Sequence, residues 1–139
     1  MGFGYNEKTN WYDQYFEKGI ALPSTGNDTC ENPLPVGKHH GALTVRATVA
    51  SSNASIPAGS SVTFTPLFSA TSDGTFEPPS PAYAVSVSAP AGAAETASSG
   101  EELCTFLLPD SDKEYCKIKI ATTGACTGTL DVAMGYTAR

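Results

Sequence analysis

The fold is decided by a stretch that reads LTVRATV over residues 43–49, where apolar residues alternate with polar ones. Residues i and i+2 of a β-strand point to the same face, so this pattern predicts a strand with one buried and one solvated side. Five later segments have the same period, at residues 62–68, 83–87, 104–108, 116–120 and 130–136. No helical period lies between them. The sequence therefore predicts six strands after Ala42.

Turn-forming residues separate these strands. They include Pro57-Ala-Gly59, Asp73-Gly74, the proline-rich run 78–81, the run 109–112 and Thr123-Gly124. Strands that follow one another without helices exclude βαβ units and favour an all-β, antiparallel β-sandwich. One or two short strands from 20–37 raise the count to about eight, which predicts a jelly roll. The small, polar run 89–100 is expected to be a long exposed loop.

The first 16 residues hold six of the chain's aromatic residues. Trp11, Tyr12, Tyr15 and Phe16 share one face of a helix that is predicted over 11–18, with Asn10 as N-cap and Gly19 as the C′ residue. Two turns of helix are not stable alone, so this face is expected to dock on the sandwich or on a neighbouring subunit. We therefore predict an N-terminal arm and connector over 1–37 and a sandwich domain over 38–139.

The composition and net charge of the chain argue against two classes of binding partner. The 139 residues suit one domain, 40% of them are hydrophobic, and the net charge is −6 with no basic cluster. This balance argues against nucleic acid and anionic membrane as partners. Residues 1–8 lack the regions of a signal peptide, and no stretch approaches the roughly 20 apolar residues of a membrane span, so we expect assembly in the cytoplasm.

The residue types of common active sites lack the required spacing. The four cysteines form no Cys-x-x-Cys pair and the two histidines are adjacent, so no metal, no cofactor and no enzymatic activity are expected. Cys104 and Cys116 lie on apolar faces, where free thiols behave as small hydrophobes. If their strands instead form a hairpin that closes symmetrically about Asp110, the two cysteines lie directly opposite and can form a disulfide, whereas a longer loop breaks this register.

The order of strand and turn blocks over residues 42–139 resembles the head decoration, or capsid cement, proteins of tailed bacteriophages. The blocks are LTVRATV at 43–49, PAGSSVTF at 57–64, SATSDGTF at 69–76, FLLP at 106–109, EYCKIKI at 114–120 and TGTLDVA at 127–133. The resemblance implies a small jelly roll that binds the outside of an expanded shell. It also implies a dimer or trimer that bridges major capsid protein subunits. The aromatic arm has no counterpart in the family pattern.

Aromatic side chains dominate the energetics of protein interfaces, so the arm is the candidate contact to the capsid or to a neighbouring subunit. The candidate interface residues are Phe3, Tyr5, Trp11, Tyr12, Tyr15 and Phe16. Deleting residues 1–20 is then expected to weaken capsid binding and to leave the sandwich folded. The alternative function is a small module that binds a ligand or carbohydrate, or a part of a tail that contacts a receptor.

Overall fold

The computed structural model describes residues 9–10, 14–36, 42–50 and 52–137, and every regular element in these ranges is a β-strand. The strands are β1 (Thr9–Asn10), β2 (Tyr15–Ala21), β3 (Gly26–Thr29), β4 (Leu34–Pro35), β5 (Ala42–Val49), β6 (Ala54–Ile56), β7 (Ser61–Ser69), β8 (Val85–Ser88), β9 (Glu95–Ala97), β10 (Glu102–Leu107), β11 (Tyr115–Thr123) and β12 (Thr129–Thr137). The predicted all-β class is confirmed.

The eight longest strands form two antiparallel sheets that pack face to face. Sheet A has the order β2–β12–β5–β10, and β1 pairs with the same edge of β12 as β2 does. Sheet B has the order β3–β11–β7–β8, and β4 also pairs with β11. Along these eight strands the chain changes sheet at every step except from β7 to β8. This connectivity is that of a jelly roll, as the strand count predicted.

The core lies between the sheets and contains the apolar side of each alternating pattern. Phe64 of sheet B faces Phe106 of sheet A, with ring centroids 6.2 Å apart. The largest fully buried side chains include Phe16, Phe64, Ile56, Ile118, Ile120 and Leu130. The residues predicted to face inward from β5, β7, β11 and β12 are thus the residues that form the core.

Pro66 is buried in β7, although proline cannot donate a hydrogen bond inside a sheet. Its neighbour Phe68 exchanges both backbone hydrogen bonds with Glu77, on the side of β7 away from β11. Pro66 lies two residues before Phe68, so its backbone nitrogen also faces the side away from β11. On that side β8 pairs only with Ser61 to Phe64, so no strand is paired beside Pro66. No ladder hydrogen bond is therefore lost at Pro66.

The predicted helix over 11–18 is wrong where the structure describes it. Residues 15–21 form β2, while residues 11–13 lie outside the described part. Phe16 and Ile20 lie four residues apart, a spacing that places two side chains on one face of a helix and also on one face of a strand. Gly19 has the positive φ, 74°, expected of a helix C′ residue, but here it permits a β-bulge opposite β12.

The predicted connector contributes to the sandwich. β3 and β4 pair with β11, so short strands from the 20–37 region are present as expected. Leu22, Cys30 and Val36 are buried in the core. The described residues 14–36 thus belong to both sheets. The run 89–100 is mostly exposed, as predicted, but it also contains β9, which pairs with β6.

Candidate partner surface

One edge of sheet A is formed by β2, and hydrogen bonds hold this strand on both of its sides. The Gly19 N–H donates to Oδ1 of Asp131 at 2.8 Å, and the Met134 N–H donates to the Gln14 carbonyl at 2.7 Å. On the other side, the Asn32 N–H donates to the Phe16 carbonyl at 3.0 Å. These bonds fix the face that each β2 side chain presents. Phe16 points into the core, and Tyr15 lies on the outside.

Two rows of residues cross the outer face of sheet A, and we call their seven members the outer patch. One row joins Tyr15, Ala133, Arg46 and Thr105 as successive register partners, and the next joins Gly135, Thr44 and Leu107. Their neighbours in sequence, such as Val132, Val45 and Phe106, are buried. Since successive residues of a strand alternate, the outer patch faces away from the core. Within the outer patch Ala133 is only 5% exposed and Gly135 is buried, Arg46 and Thr44 are partly exposed, and the most exposed members are Thr105 and Leu107 at the β10 border.

Leu107 is the prominent apolar group of the outer patch. Its side chain is 59% exposed, and no other large hydrophobic residue is exposed among the described residues. Tyr15 lies at the opposite border, half-buried, with the Lys18 Nζ 4.5 Å from its ring centroid. Leu107 was not among the candidates from sequence, although the run Phe106-Leu107-Leu108 carries the signal. Once Phe106 points inward, an apolar residue must point outward beside it.

The candidate interface residues fall into three groups. Phe3, Tyr5, Trp11 and Tyr12 lie outside the described residues. Tyr15 is part of the outer patch. Phe16 is 0% exposed and belongs to the core, so its ring is not available to a partner. The short strand β1 pairs with β12 at Thr137, so residues 1–8 precede a strand at the same edge of sheet A.

The disulfide considered between Cys104 and Cys116 does not form, and all four cysteines are free and buried. The reason is topological, because β10 belongs to sheet A and β11 to sheet B, so the two strands are not a hairpin. Burial raises the pKa of Cys116 to about 12. Burial, and next the charges of Glu17 and Asp28, raise the pKa of Cys30. These protonated thiols act as small apolar side chains.

Neither a metal centre nor a membrane-spanning helix is present in the part of the chain that the structure describes. Within it, no group of three or more His, Cys, Asp or Glu side chains is arranged to hold a metal ion. The same residues contain no helix of the length and apolar character needed to span a membrane.

Comparison with known proteins finds distant similarity among solved structures. No family model matches the chain, and no curated protein matches it. Among solved structures, the chain is similar to part of a chain from the structure of infectious bursal disease virus Gx strain, with a TM-score of 0.45 and 11% sequence identity. The alignment covers 94% of this chain and 32% of that chain, so this protein spans about a third of its neighbour's length. The proposals below rest on this chain's own residues.

Proposed function

We propose that this protein is a non-enzymatic structural protein of a virion. In this proposal it binds the outer surface of a tailed-bacteriophage capsid and cements contacts between major capsid protein subunits. The observation that carries the proposal is the outer patch, a face of sheet A with an exposed Leu107 at one border and a partly exposed Tyr15 at the other. The sequence resemblance over residues 42–139 supports the same role.

The two borders of the outer patch also support this assignment. Tyr15 and Leu107 lie at opposite borders of one face of sheet A. Sheet B carries Thr63, Thr65 and Lys119 on its outer face, and none of its described residues is an exposed large hydrophobic residue.

A protein that cements a capsid can use contacts that are each weak, because many of them act together. Burying a leucine side chain contributes about 1.5–3 kcal/mol when it passes from full exposure to full burial, and Leu107 is already partly covered. One such contact binds weakly, but a dimer or trimer that engages repeated capsid subunits multiplies the effect through effective concentration. We therefore propose that the protein acts as a homo-oligomer on the virion surface, after assembly in the host cytoplasm.

Co-sedimentation tests this proposal. The purified full-length protein is mixed with expanded and unexpanded shells of the major capsid protein from the same genome. Saturable binding to expanded shells is expected, with a stoichiometry that matches the number of one class of symmetry axis. Tyr15→Ser and Leu107→Ser should each weaken binding at least tenfold, since truncating an interface anchor costs more than about 1.4 kcal/mol.

Ala121→Ser is the matched control, because Ala121 is a partly exposed apolar residue of sheet B, paired with Thr63. It should bind like the unmodified protein. Circular dichroism of each variant separates loss of binding from loss of fold. If the folded protein binds neither form of the shell, the cement role is overturned. The same follows if the two sheet A variants bind as well as the control.

A further inference from the structure

A polar cleft of about 590 Å³ lies at the end of the sandwich where β7 ends and β11 begins. One wall is the long β7–β8 loop, and the other is the β10–β11 loop. Phe68 and Ser69, both buried, line its base. The volume lies within the range of about 300–1,000 Å³ that is usual for small-molecule sites. The outer patch lies on the face of sheet A, so the cleft is a separate feature.

Hydrogen bonds hold the first wall in place. Glu77 and Phe68 exchange backbone hydrogen bonds of 2.8 and 3.0 Å, which ties the middle of the loop to the end of β7. The Ser69 hydroxyl donates to the Thr71 carbonyl at 2.8 Å and accepts from the Thr71 N–H at 3.2 Å. The cleft is therefore shaped before any ligand binds, which lowers the entropy cost of binding.

The second wall and the far end of the loop are fixed in the same way. The Lys113 N–H donates to the Ser111 hydroxyl at 3.1 Å within the β10–β11 loop. Near the end of the β7–β8 loop, the Tyr83 hydroxyl donates to the Leu107 carbonyl at 2.7 Å. Tyr83 also packs against Phe106, with ring centroids 6.4 Å apart. The end of the β7–β8 loop is thus anchored to β10 and to the core, and the β10–β11 loop is held by a bond within itself.

Charge decides which ligands suit the cleft. Glu77, Asp110 and Asp112 contribute three carboxylates, against the single ammonium of Lys113. An anionic ligand would meet net negative charge here and on the whole protein, whose net charge is −6. Among the described residues, no group of three or more His, Cys, Asp or Glu is arranged to hold a metal ion. A neutral ligand with several hydroxyl groups avoids the repulsion that an anion meets, and its hydroxyls can bind both the carboxylates and the ammonium.

We propose that this cleft binds a neutral saccharide. Sugar hydroxyls donate to the carboxylates of Asp110 and Asp112 and accept from the Lys113 ammonium, because the hydroxyl group performs both roles. The rings of Pro78 and Pro79 line the same wall and offer an apolar surface for the C–H face of a sugar. This inference is independent of capsid binding, since it uses none of the outer patch.

Nuclear magnetic resonance titration of the full-length, ¹⁵N-labelled protein tests the proposal. The probes are glucose, galactose, mannose, N-acetylglucosamine, lactose and maltose, each raised into the millimolar range. At least one is expected to cause saturable shifts of the amide signals of Thr71 and Lys113, whose N–H groups lie in the two walls. The signals of Gly59 and Ala93, at the other end of the sandwich, should stay in place.

The double variant Asp110→Asn, Asp112→Asn should bind that sugar at least tenfold more weakly, because two charged acceptors become weaker ones. Asp73→Asn is the matched control, since Asp73 is exposed on the β7–β8 loop and does not line the cleft. Its affinity should be unchanged. The proposal is overturned if no sugar of the panel causes saturable shifts, or if the double variant binds as well as the control. Saturable shifts with calcium chloride or arginine amide alone would also overturn it, by assigning the cleft to a cation.

Discussion

Replacement of Phe16 by alanine tests whether the N-terminal third is part of the sandwich. The Phe16 side chain is 0% exposed and packs in the shared core with residues of both sheets. Truncating a buried phenylalanine costs about 3–5 kcal/mol, through lost burial and the cavity that remains. Because domains of this kind have about 5–15 kcal/mol of stability, the variant should lose a fifth or more of it.

The assay is urea unfolding followed by far-ultraviolet circular dichroism, with Tyr15→Ala as the neighbouring control. Tyr15 lies on the outside of the same strand, and its ring contacts the Lys18 ammonium, so this control should lose only about 1 kcal/mol. If Phe16→Ala does not fold at all, Phe16→Leu retains part of the buried volume and should show a smaller loss. Equal losses at positions 15 and 16, or a loss below about 1 kcal/mol for Phe16→Ala, would refute the burial of Phe16.

Four other predictions follow from the structure. Gly128→Ala should lower the free energy of unfolding by about 2–3 kcal/mol, because Gly128 has φ of 113° and an added Cβ would lie 2.7 Å from the Ala54 Cα. The control Gly59→Ala has open space around its added Cβ, so its free energy of unfolding should fall by only about 1 kcal/mol in the same urea assay. The sequence predicts that the sandwich stays folded without residues 1–20, but the structure corrects this expectation: the deletion removes most of β2, including the buried Phe16 and Ile20, and should abolish the folded circular dichroism spectrum, whereas deleting residues 1–8 should preserve the spectrum. Burial raises the pKa of Cys116 from 9.0 to about 12, so the unfolded chain releases this proton first and stability falls as pH rises through that interval. Urea unfolding at several alkaline pH values should show a shallower fall for Cys116→Ala, by at most about 1.4 kcal/mol per pH unit. Mass spectrometry after unfolding without reductant should find four alkylated cysteines, and a Cys104–Cys116 crosslink would contradict the assignment of their strands to different sheets.

The sequence predicts the strands of this fold better than their partners. The alternation at 43–49 and 116–120 identifies β5 and β11 because burial of one face is a local property of each strand. The connection between β10 and β11 is different. A chain that turns back within one sheet and a chain that crosses to the other sheet show the same alternation on both sides of the turn. The pairing of Cys104 and Cys116 was therefore open in the sequence, and the sheet order decides it.

The candidate site is predicted only in part. Tyr15 lies on the outer face of β2, whereas Phe16 is in the core, because the spacing of four residues between Phe16 and Ile20 fits one face of a strand as well as one face of a helix. Gly19 did not resolve this ambiguity, since a positive φ serves both a helix end and a β-bulge. The cleft forms where the β7–β8 and β10–β11 loops approach each other, and no local sequence pattern in either loop predicts that approach.

The placement of β11 and β12 has a consequence for synthesis on the ribosome. These two strands follow the other described strands along the chain, yet β12 lies between β2 and β5 in sheet A, and β11 lies between β3 and β7 in sheet B. A nascent chain that ends before Tyr115 therefore holds the flanking strands of both sheets without either centre. Neither sheet can close until β11 and β12 have left the exit tunnel. The earlier strands must therefore stay soluble until residues 115–137 have been made.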